Sequence, residues 1–284
     1  MSNNESKRHH YIPKFLIKGF TDENNLLYIY DKKKDKILSK QRSPKSIFFE
    51  NFRNTIKIDE SNSNSIIEDL WFQKLDDELS KNVQKLQTEK LNTDLFNDDN
   101  IAQLQFFIIN LFWRIPKTDF AAKDLIQRAE LRTEGIDSET VRNDKNWNKI
   151  LRTGLYKETI DQMRNSSTKP KNIYPKIAEF EKDIFVLGDF PFVFRNRLGK
   201  FTDLVEDDYF IALTSKRILS SSRKELQSFD FQMFLPYNAA IIEESQNYVV
   251  SNNLKILEGS VEYYRKLKKE HLIYFIKNRL FKEK

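Results

Sequence analysis

The chain has 284 residues, with 48 basic against 42 acidic side chains and a net charge of +6. Hydrophobic residues make up 39% and charged residues of both signs 32%, which indicates a globular chain with a sizeable core rather than a disordered one. The absence of cysteine excludes disulfides, thiolate zinc sites, iron–sulfur clusters and cysteine nucleophiles.

Residues 1–64 predict one β-hairpin and little other regular structure. Residues 1–10 are polar and lack the apolar centre of a secretory signal, so we expect a soluble, cytoplasmic protein. The hairpin is predicted over residues 26–40, where two short apolar stretches flank a polar turn. Residues 43–64 are mostly polar and predict a loop.

Residues 65–164 predict a helical region. An apolar stripe predicts a helix over residues 65–90, and Ser65 and Glu68 have the spacing of a capping box at its start. A second helix, over about 98–115, is apolar on nearly all sides and is followed by Pro116, so we expect it to be the buried central helix. Its uncharged stretch falls short of the roughly 20 residues that a membrane span needs. More highly charged helices are predicted over 119–133 and 138–164.

Residues 165–174 are polar and are the best candidate for a linker, and the composition after them favours strands. We predict a short helix from Pro236 and a final helix over 254–281. The predicted strands cover residues 183–188, 190–194, 209–214, 231–235 and 248–251. Together these elements predict a helix-rich α+β fold, with a small mixed or antiparallel sheet from the C-terminal half. We expect one domain, 1–284, in which the regions 1–64, 65–164 and 175–284 pack together.

The glycines limit the cofactors that the chain can bind. All six are scattered, so no Gly-rich loop is present and a nucleotide cofactor of the Rossmann or P-loop type is excluded. The motifs H-E-x-x-H, G-x-S-x-G and C-x-x-C are also absent. A divalent metal held by histidine and carboxylate side chains stays open, although no tight cluster of these residues is visible in the sequence.

Histidine is scarce, and two of the three histidines are adjacent. His9 and His10 lie in a basic, aromatic segment, and an imidazole there can act as a general acid or base or as a metal ligand. The alternative is a docking segment in which both rings hydrogen-bond to the backbone.

Three charged residues are further candidates, each with a structural alternative. Asp189 lies at a strand break, where it either points into a cleft or forms a turn with Gly188 and Pro191. Arg114 ends an apolar helix, where it either extends to solvent or pairs with a carboxylate or a ligand anion. Glu68 has the capping role described above.

The segment HHYIPKFLIKGF (9–20) resembles the N-terminal signature of a bacterial family of proteins of unknown function, in which His-His-Tyr-Val-Pro precedes Phe, Leu and Phe. That family also carries an acidic helix, a helix ending in Arg-x-Pro, an Asp-x-Pro turn and a late Asn that begins a helix. The similar positions here are His9, His10, Tyr11, Pro13, Glu68, Arg114-Ile115-Pro116, Asp189-Phe190-Pro191 and Asn238. Gly188 and Phe190 stand where the family commonly has Ser and Asn. Any role that a Ser or Asn side chain has at these positions in the family is therefore not expected in this chain.

The resemblance implies a bacterial, cytoplasmic protein of a type considered a defence or toxin-like effector, including phage defence. It also implies that six polar residues converge on one site. The catalytic candidates are His9, His10, Glu68, Arg114 and Asp189, and the ligand-binding candidate is Asn238. We therefore expect His9 or His10 to contact Asp189 or Arg114.

Two hypotheses for function follow. In the first, the protein is a hydrolase acting on nucleic acid or nucleotide: a histidine is the general acid or base, Asp189 orients it or binds a metal, and Arg114 holds a phosphate. In the second, it is a non-catalytic sensor or protein-interaction module. The basic composition and the scatter of the polar motifs favour the first, and the lack of a known catalytic signature favours the second. Partly exposed histidines in a positive pocket would indicate the hydrolase, and buried histidines bonded to the backbone would indicate the alternative.

Overall fold

The helix-rich α+β fold expected from the sequence is confirmed. A computed structural model describes residues 7–57, 63–64, 67, 72–90, 98–128, 135, 137–165, 175–196, 207–222 and 228–282. Its α-helices are α1 (Lys14–Lys18), α2 (Gln73–Thr88), α3 (Asp98–Arg114), α4 (Asp119–Arg128), α5 (Ser138–Asn143), α6 (Lys145–Asn165), α7 (Phe234–Glu244), α8 (Leu254–Lys269) and α9 (Ile276–Leu280). Short 3-10 helices span Pro44–Ser46, Pro116–Thr118, Phe231–Met233 and Ile273–Phe275.

The strands form small sheets in which every described pairing is antiparallel. In chain order they are β1 (Arg8–His10), β2 (Tyr28–Asp31), β3 (Lys36–Ile37), β4 (Phe49–Asn51), β5 (Ile56–Lys57), β6 (Ser63–Asn64), β7 (Lys176–Glu179), β8 (Leu187–Gly188), β9 (Phe192–Phe194), β10 (Tyr209–Ala212), β11 (Arg217–Ser221) and β12 (Tyr248–Ser251). Pairs β1–β4 and β5–β6 stand apart from two four-stranded sheets.

The two four-stranded sheets differ in where their strands come from. One has the order β7-β11-β10-β9 and is built from the C-terminal half, as expected. The other has the order β3-β2-β12-β8, so strand β2 of the N-terminal hairpin pairs with β12, which pairs with β8 on its other side. Residues near both ends of the chain therefore share one sheet.

Helix α3 is the buried central helix that the sequence predicts. It packs against α2 and α6, and its side chains belong to one continuous hydrophobic cluster. The nearly inaccessible members on this helix are Leu104, Phe107, Ile108, Ile109, Leu111, Phe112 and Trp113. Residues 107–114 are buried without interruption, which explains why this half of the helix lacks a polar face. Within the described part of the chain, no helix combines the length and the apolar character needed to cross a bilayer.

Several predicted elements differ in detail. Residues 43–64, predicted as a loop, contain the short strands β4, β5 and β6, and the strand predicted over 183–188 is limited to β8. Residues 231–235 form a 3-10 turn and the start of α7 rather than a strand, because the Asp230 carboxylate accepts the Gln232 N–H and caps this helical segment. The predicted helix 138–164 is interrupted at Asp144, whose carboxylate accepts the N–H groups of Asn146 and Trp147. The final helix is interrupted after residue 269, and His271 there has a positive φ of 57°.

Candidate functional site

The two histidines lie on β1 and face the protein interior. His9 is 0% exposed, and its Nδ1 accepts the backbone N–H of Asn54 at 3.0 Å. His10 is 7% exposed, and its Nε2 lies 3.1 Å from the carbonyl oxygen of Pro44. Burial, together with the positive charges of Lys14 and Arg114, lowers the pKa of His10 to about 4. At neutral pH this imidazole is therefore uncharged and donates its Nε2–H to the main chain.

Arg114 joins the histidine segment to the central helices. Its Nη2 donates to the carbonyl oxygen of His10 at 2.7 Å, and its Nη1 pairs with the carboxylate of Asp76. The guanidinium also lies over the ring of Phe72, 4.9 Å from its centroid. The expected contact between Arg114 and the histidine pair is present, but it involves the main chain of His10 rather than the imidazole.

Two further arginines, which the sequence analysis did not single out, form an adjacent layer. Arg53 donates to both carboxylate oxygens of Asp119, at 3.1 and 2.7 Å, and to the carbonyl oxygen of Arg114 at 2.8 Å. Arg152 donates to Asp119 at 3.2 Å and to the side-chain oxygen of Asn54 at 2.6 Å. Burial, and then the charge of Arg53, lower the pKa of Arg152 to about 10. We call Arg53, Asn54, Asp119 and Arg152 the arginine layer.

Asp189 closes the turn between α7 and β12. Its carboxylate accepts the backbone N–H groups of Gln246 and Asn247 at 2.7 Å each, and that of Tyr248 at 3.2 Å. Burial raises the pKa of Asp189, and the three N–H donors act in the opposite direction. This side chain is nearly inaccessible, and its described bonds serve the turn.

Two lysines donate to carbonyl oxygens at the start of the same turn. Nζ of Lys32 donates to the carbonyl oxygens of Glu243 and Ser245 at 2.7 and 2.8 Å. Nζ of Lys117 donates to the carbonyl oxygen of Glu244 at 2.5 Å. Cations at the C-terminus of a helix satisfy carbonyls that have no partner within the helix. We call this turn with Lys32, Lys117 and Asp189 the α7–β12 junction.

Gly188 is required beside the junction, which explains one departure from the resembled pattern. A Cβ atom at this position would lie 2.1 Å from Oγ of Ser245 and 2.9 Å from a methyl group of Ile241. A serine side chain would therefore collide with α7 and with the residue that follows it.

Asn238 occupies a separate place inside α7. Its Nδ2 donates to the carbonyl oxygen of Ile184 at 2.8 Å and to Oγ of Ser260 at 2.9 Å, while its Oδ1 accepts the N–H of Val186 at 3.2 Å. It thus connects α7 to the chain before β8 and to α8. Its described bonds do not include the other predicted site residues, and Glu68 lies outside the described residues.

The described residues contain no group of three or more histidine, aspartate and glutamate side chains that could hold a metal ion. They do contain an open cleft of about 750 Å³ beside the α7–β12 junction. Lys117 follows the Arg114-Ile115-Pro116 segment and Phe190 follows Asp189, so two of the motifs border this cleft. The same cleft is lined by Phe120, Arg195, Glu244, Tyr274 and Lys277, among others.

The cleft differs from the buried motifs in its exposure. Tyr274 is 81% and Phe120 48% exposed, although both side chains are large and apolar in part. The sequence contains 34 Phe and Tyr residues, 23 and 11, and most of those described are buried, so nothing in the sequence distinguishes these two.

No curated protein and no solved structure matches the chain. A family described as "Protein of unknown function (DUF4238)" matches residues 8–255, which include His9, His10, Arg114, Asp189 and Asn238. Because this match covers most of the 284 residues, the chain belongs to the DUF4238 family.

Proposed function

We propose that this protein is a non-catalytic binding module, in which the polar motif residues hold the fold and the cleft beside the α7–β12 junction recognises a ligand. One observation carries the proposal: both histidines of the N-terminal motif are buried, and each has a hydrogen bond to a main-chain group. This is the arrangement expected for the second of the two hypotheses from the sequence.

General acid–base catalysis needs a side chain that can approach a substrate atom and that titrates near the working pH. Burial keeps His9 and His10 from such an approach, and His10 titrates near pH 4. Asp189 and Arg114 are engaged in the same way, with main-chain partners at the α7–β12 junction and at His10. These contacts support a role in the fold for all four residues.

The cleft supports the binding half of the proposal. Ligand sites are commonly concave, largely apolar and supplied with a few polar groups, and a volume of about 750 Å³ is within the range typical of small-ligand pockets. The exposed aromatic side chains of Phe120 and Tyr274 line this cleft together with Lys117 and Lys277, which supplies both apolar and charged groups for a ligand.

Incubation with nucleic acids and nucleotides tests the non-catalytic part. Wild type, His10→Ala and His10→Gln are incubated with RNA, single- and double-stranded DNA and nucleotides, with Mg²⁺, with Mn²⁺ and with chelator. We expect no turnover by any of the three proteins. We also expect a lower melting midpoint for His10→Ala, because the Pro44 carbonyl loses its donor at a cost of about 1–3 kcal/mol.

His10→Gln is the control for folding, because its amide can still donate to the Pro44 carbonyl. Turnover by wild type that is lost in a His10→Gln variant of wild-type stability would contradict the proposal and restore the hydrolase hypothesis. Chelator sensitivity of that turnover would then identify a metal-assisted reaction.

A further inference from the structure

Two of the aromatic side chains that line the cleft, Tyr274 and Phe120, do not belong to the hydrophobic core. Tyr274 lies on the 3-10 helix Ile273–Phe275, and Phe120 lies in the first turn of α4, so two distant parts of the chain each contribute one ring. Side chains of this size normally bury most of their surface. Solvent-exposed aromatic rings in a concave site are suited to stacking on a flat ligand.

The cleft also carries a small excess of positive charge. Its lining includes the cations Lys117, Arg195 and Lys277 and the carboxylates Glu243 and Glu244, which leaves one positive charge in excess. Burial opposes ionisation of Glu244, but Lys117 and Lys277 together hold its pKa below the usual value. This carboxylate is therefore ionised and lies between two lysines, at 2.6 and 3.2 Å from their Nζ atoms.

Lys277 is the cation best placed to receive an anion. Lys117 donates twice to Glu244 and lies 4.3 Å from the ring centroid of Phe190, and Arg195 pairs with Asp208 at 2.9 Å. Within the described residues, Lys277 has one ion pair, with Oε1 of Glu244. Since an ammonium group carries three N–H donors, Lys277 retains donors for a phosphate oxygen.

A ligand that matches these groups has a flat aromatic ring and a negative charge near it. We propose that the cleft binds a nucleotide unit, with its base stacked on Tyr274 or Phe120 and its phosphate paired with Lys277. The inference rests on the proposed binding function and names its ligand. A free nucleotide and one residue of a single strand share this chemistry, and the experiment below separates them.

The test measures binding of a labelled single-stranded oligonucleotide of about 10 nucleotides to the full chain by fluorescence anisotropy. The variants are Tyr274→Ser, Phe120→Ser and Lys277→Gln. Each is compared with a matched control, Phe231→Ser for an exposed aromatic ring that does not line the cleft and Lys81→Gln for loss of one surface charge. The competitors are the same oligonucleotide without label, nucleoside monophosphates, nucleosides and inorganic phosphate.

We expect the loss of a stacking ring to weaken binding about ten-fold or more, and the two controls to bind as wild type does. Lys277→Gln should also reduce the dependence of log Kd on log salt by about one contact. Competition by nucleoside monophosphates would identify a free nucleotide as the ligand, and competition by strands alone would identify single-stranded nucleic acid. Either result supports the site, provided that the cleft variants are the ones that lose binding.

Three results would overturn the inference: no binding, equal affinity of the cleft variants and their controls, or nucleosides that bind as tightly as nucleoside monophosphates. None of these involves turnover, so they are distinct from the result that would contradict the non-catalytic proposal. An enzyme that bound nucleotides in this cleft would show turnover in the incubation experiment, which contradicts the non-catalytic proposal. Its cleft variants would still lose binding, which supports the nucleotide site.

Discussion

The arginine layer and the cleft each contain two cations that share one carboxylate, but the cations of the layer are buried and those of the cleft are partly exposed. In the layer, Arg53 and Arg152 are nearly inaccessible and share the carboxylate of Asp119. In the cleft, Lys117 and Lys277 share the carboxylate of Glu244, but both lysine side chains are more than a quarter exposed, at 27% and 28%. Residue type therefore does not separate charges that serve the fold from charges available to a ligand. Exposure and the number of fixed partners do.

The difference has a physical reason. A buried guanidinium is stabilised only while its hydrogen bonds are complete, so each partner in the arginine layer is held by the fold. A partly exposed lysine can exchange a protein partner for water or a phosphate at little cost. The following predictions test this contrast, from the largest effect to the smallest.

The largest effect is expected for Asp119→Ala. This change removes the carboxylate that Arg53 and Arg152 share. Because Asp119 is 35% exposed and Arg53 keeps its pair with Glu50, we expect the free energy of unfolding to fall by about 2–3 kcal/mol. Denaturant titration measures it. The control on the same helix is Asp124→Ala, which removes an exposed i,i+4 pair with Arg128 and should cost about 0.5 kcal/mol or less. Equal losses in both variants would mean that the arginine layer does not depend on burial.

A pH dependence of intermediate size is expected from His10. The unfolded chain takes up a proton on this residue near pH 6.5 and the folded chain only near pH 4, so the unfolded state binds more protons between these values. The stabilising contribution is therefore present above pH 6.5 and is lost as the pH falls towards 4. Between pH 7 and 5, wild type should lose about 1–2 kcal/mol more than His10→Gln. Urea titrations of the two proteins at both pH values measure the difference, and parallel curves would contradict it.

The smallest effect on stability is expected in the cleft. Because Tyr274 and Phe120 are largely exposed, Tyr274→Ser should change the free energy of unfolding by no more than about 0.5 kcal/mol, and Phe120→Ser should behave similarly. Phe112→Ser in the core is the reference, and it should be strongly destabilising. A melting curve for each variant decides this. A large loss in the two cleft variants would show that their rings serve packing rather than recognition.

The fold was most predictable where one signal dominated. The helix predicted over about 98–115 matches α3 (Asp98–Arg114), because a long apolar run ending before Pro116 has few other solutions. The prediction for residues 231–235 was wrong because the apolar, aromatic composition of F-Q-M-F-L resembles a short strand, whereas the Asp230 cap favours a helical turn. The interruption of the final helix near His271 could not be predicted, because no glycine or proline lies nearby in the sequence.

The candidate site was predictable in part. The motif residues within the described part of the chain are buried polar positions, and Arg114 contacts the His10 main chain, while their role in one site stays a prediction. Asn238 lies apart from that contact, and its amide binds the backbone of Ile184 and Val186 instead. The sequence could not predict these partners, because a buried amide within a helix can bond to any neighbouring element that offers a donor and an acceptor. The arginine layer and the cleft were missed, since both depend on which side chains the tertiary fold buries.

The α7–β12 junction also bears on the order in which the molecule assembles. Lys32 and its acceptor Glu243 are 211 positions apart in the chain, Lys117 and Glu244 are 127 apart, and Asp189 and Gln246 are 57 apart. Contacts of such long sequence separation form slowly, because the intervening chain must be ordered first. During synthesis, Lys32, Lys117 and Asp189 emerge before their partners at residues 243–248. The hydrogen bonds of the junction therefore form late, when the last of the segments that it connects has been made.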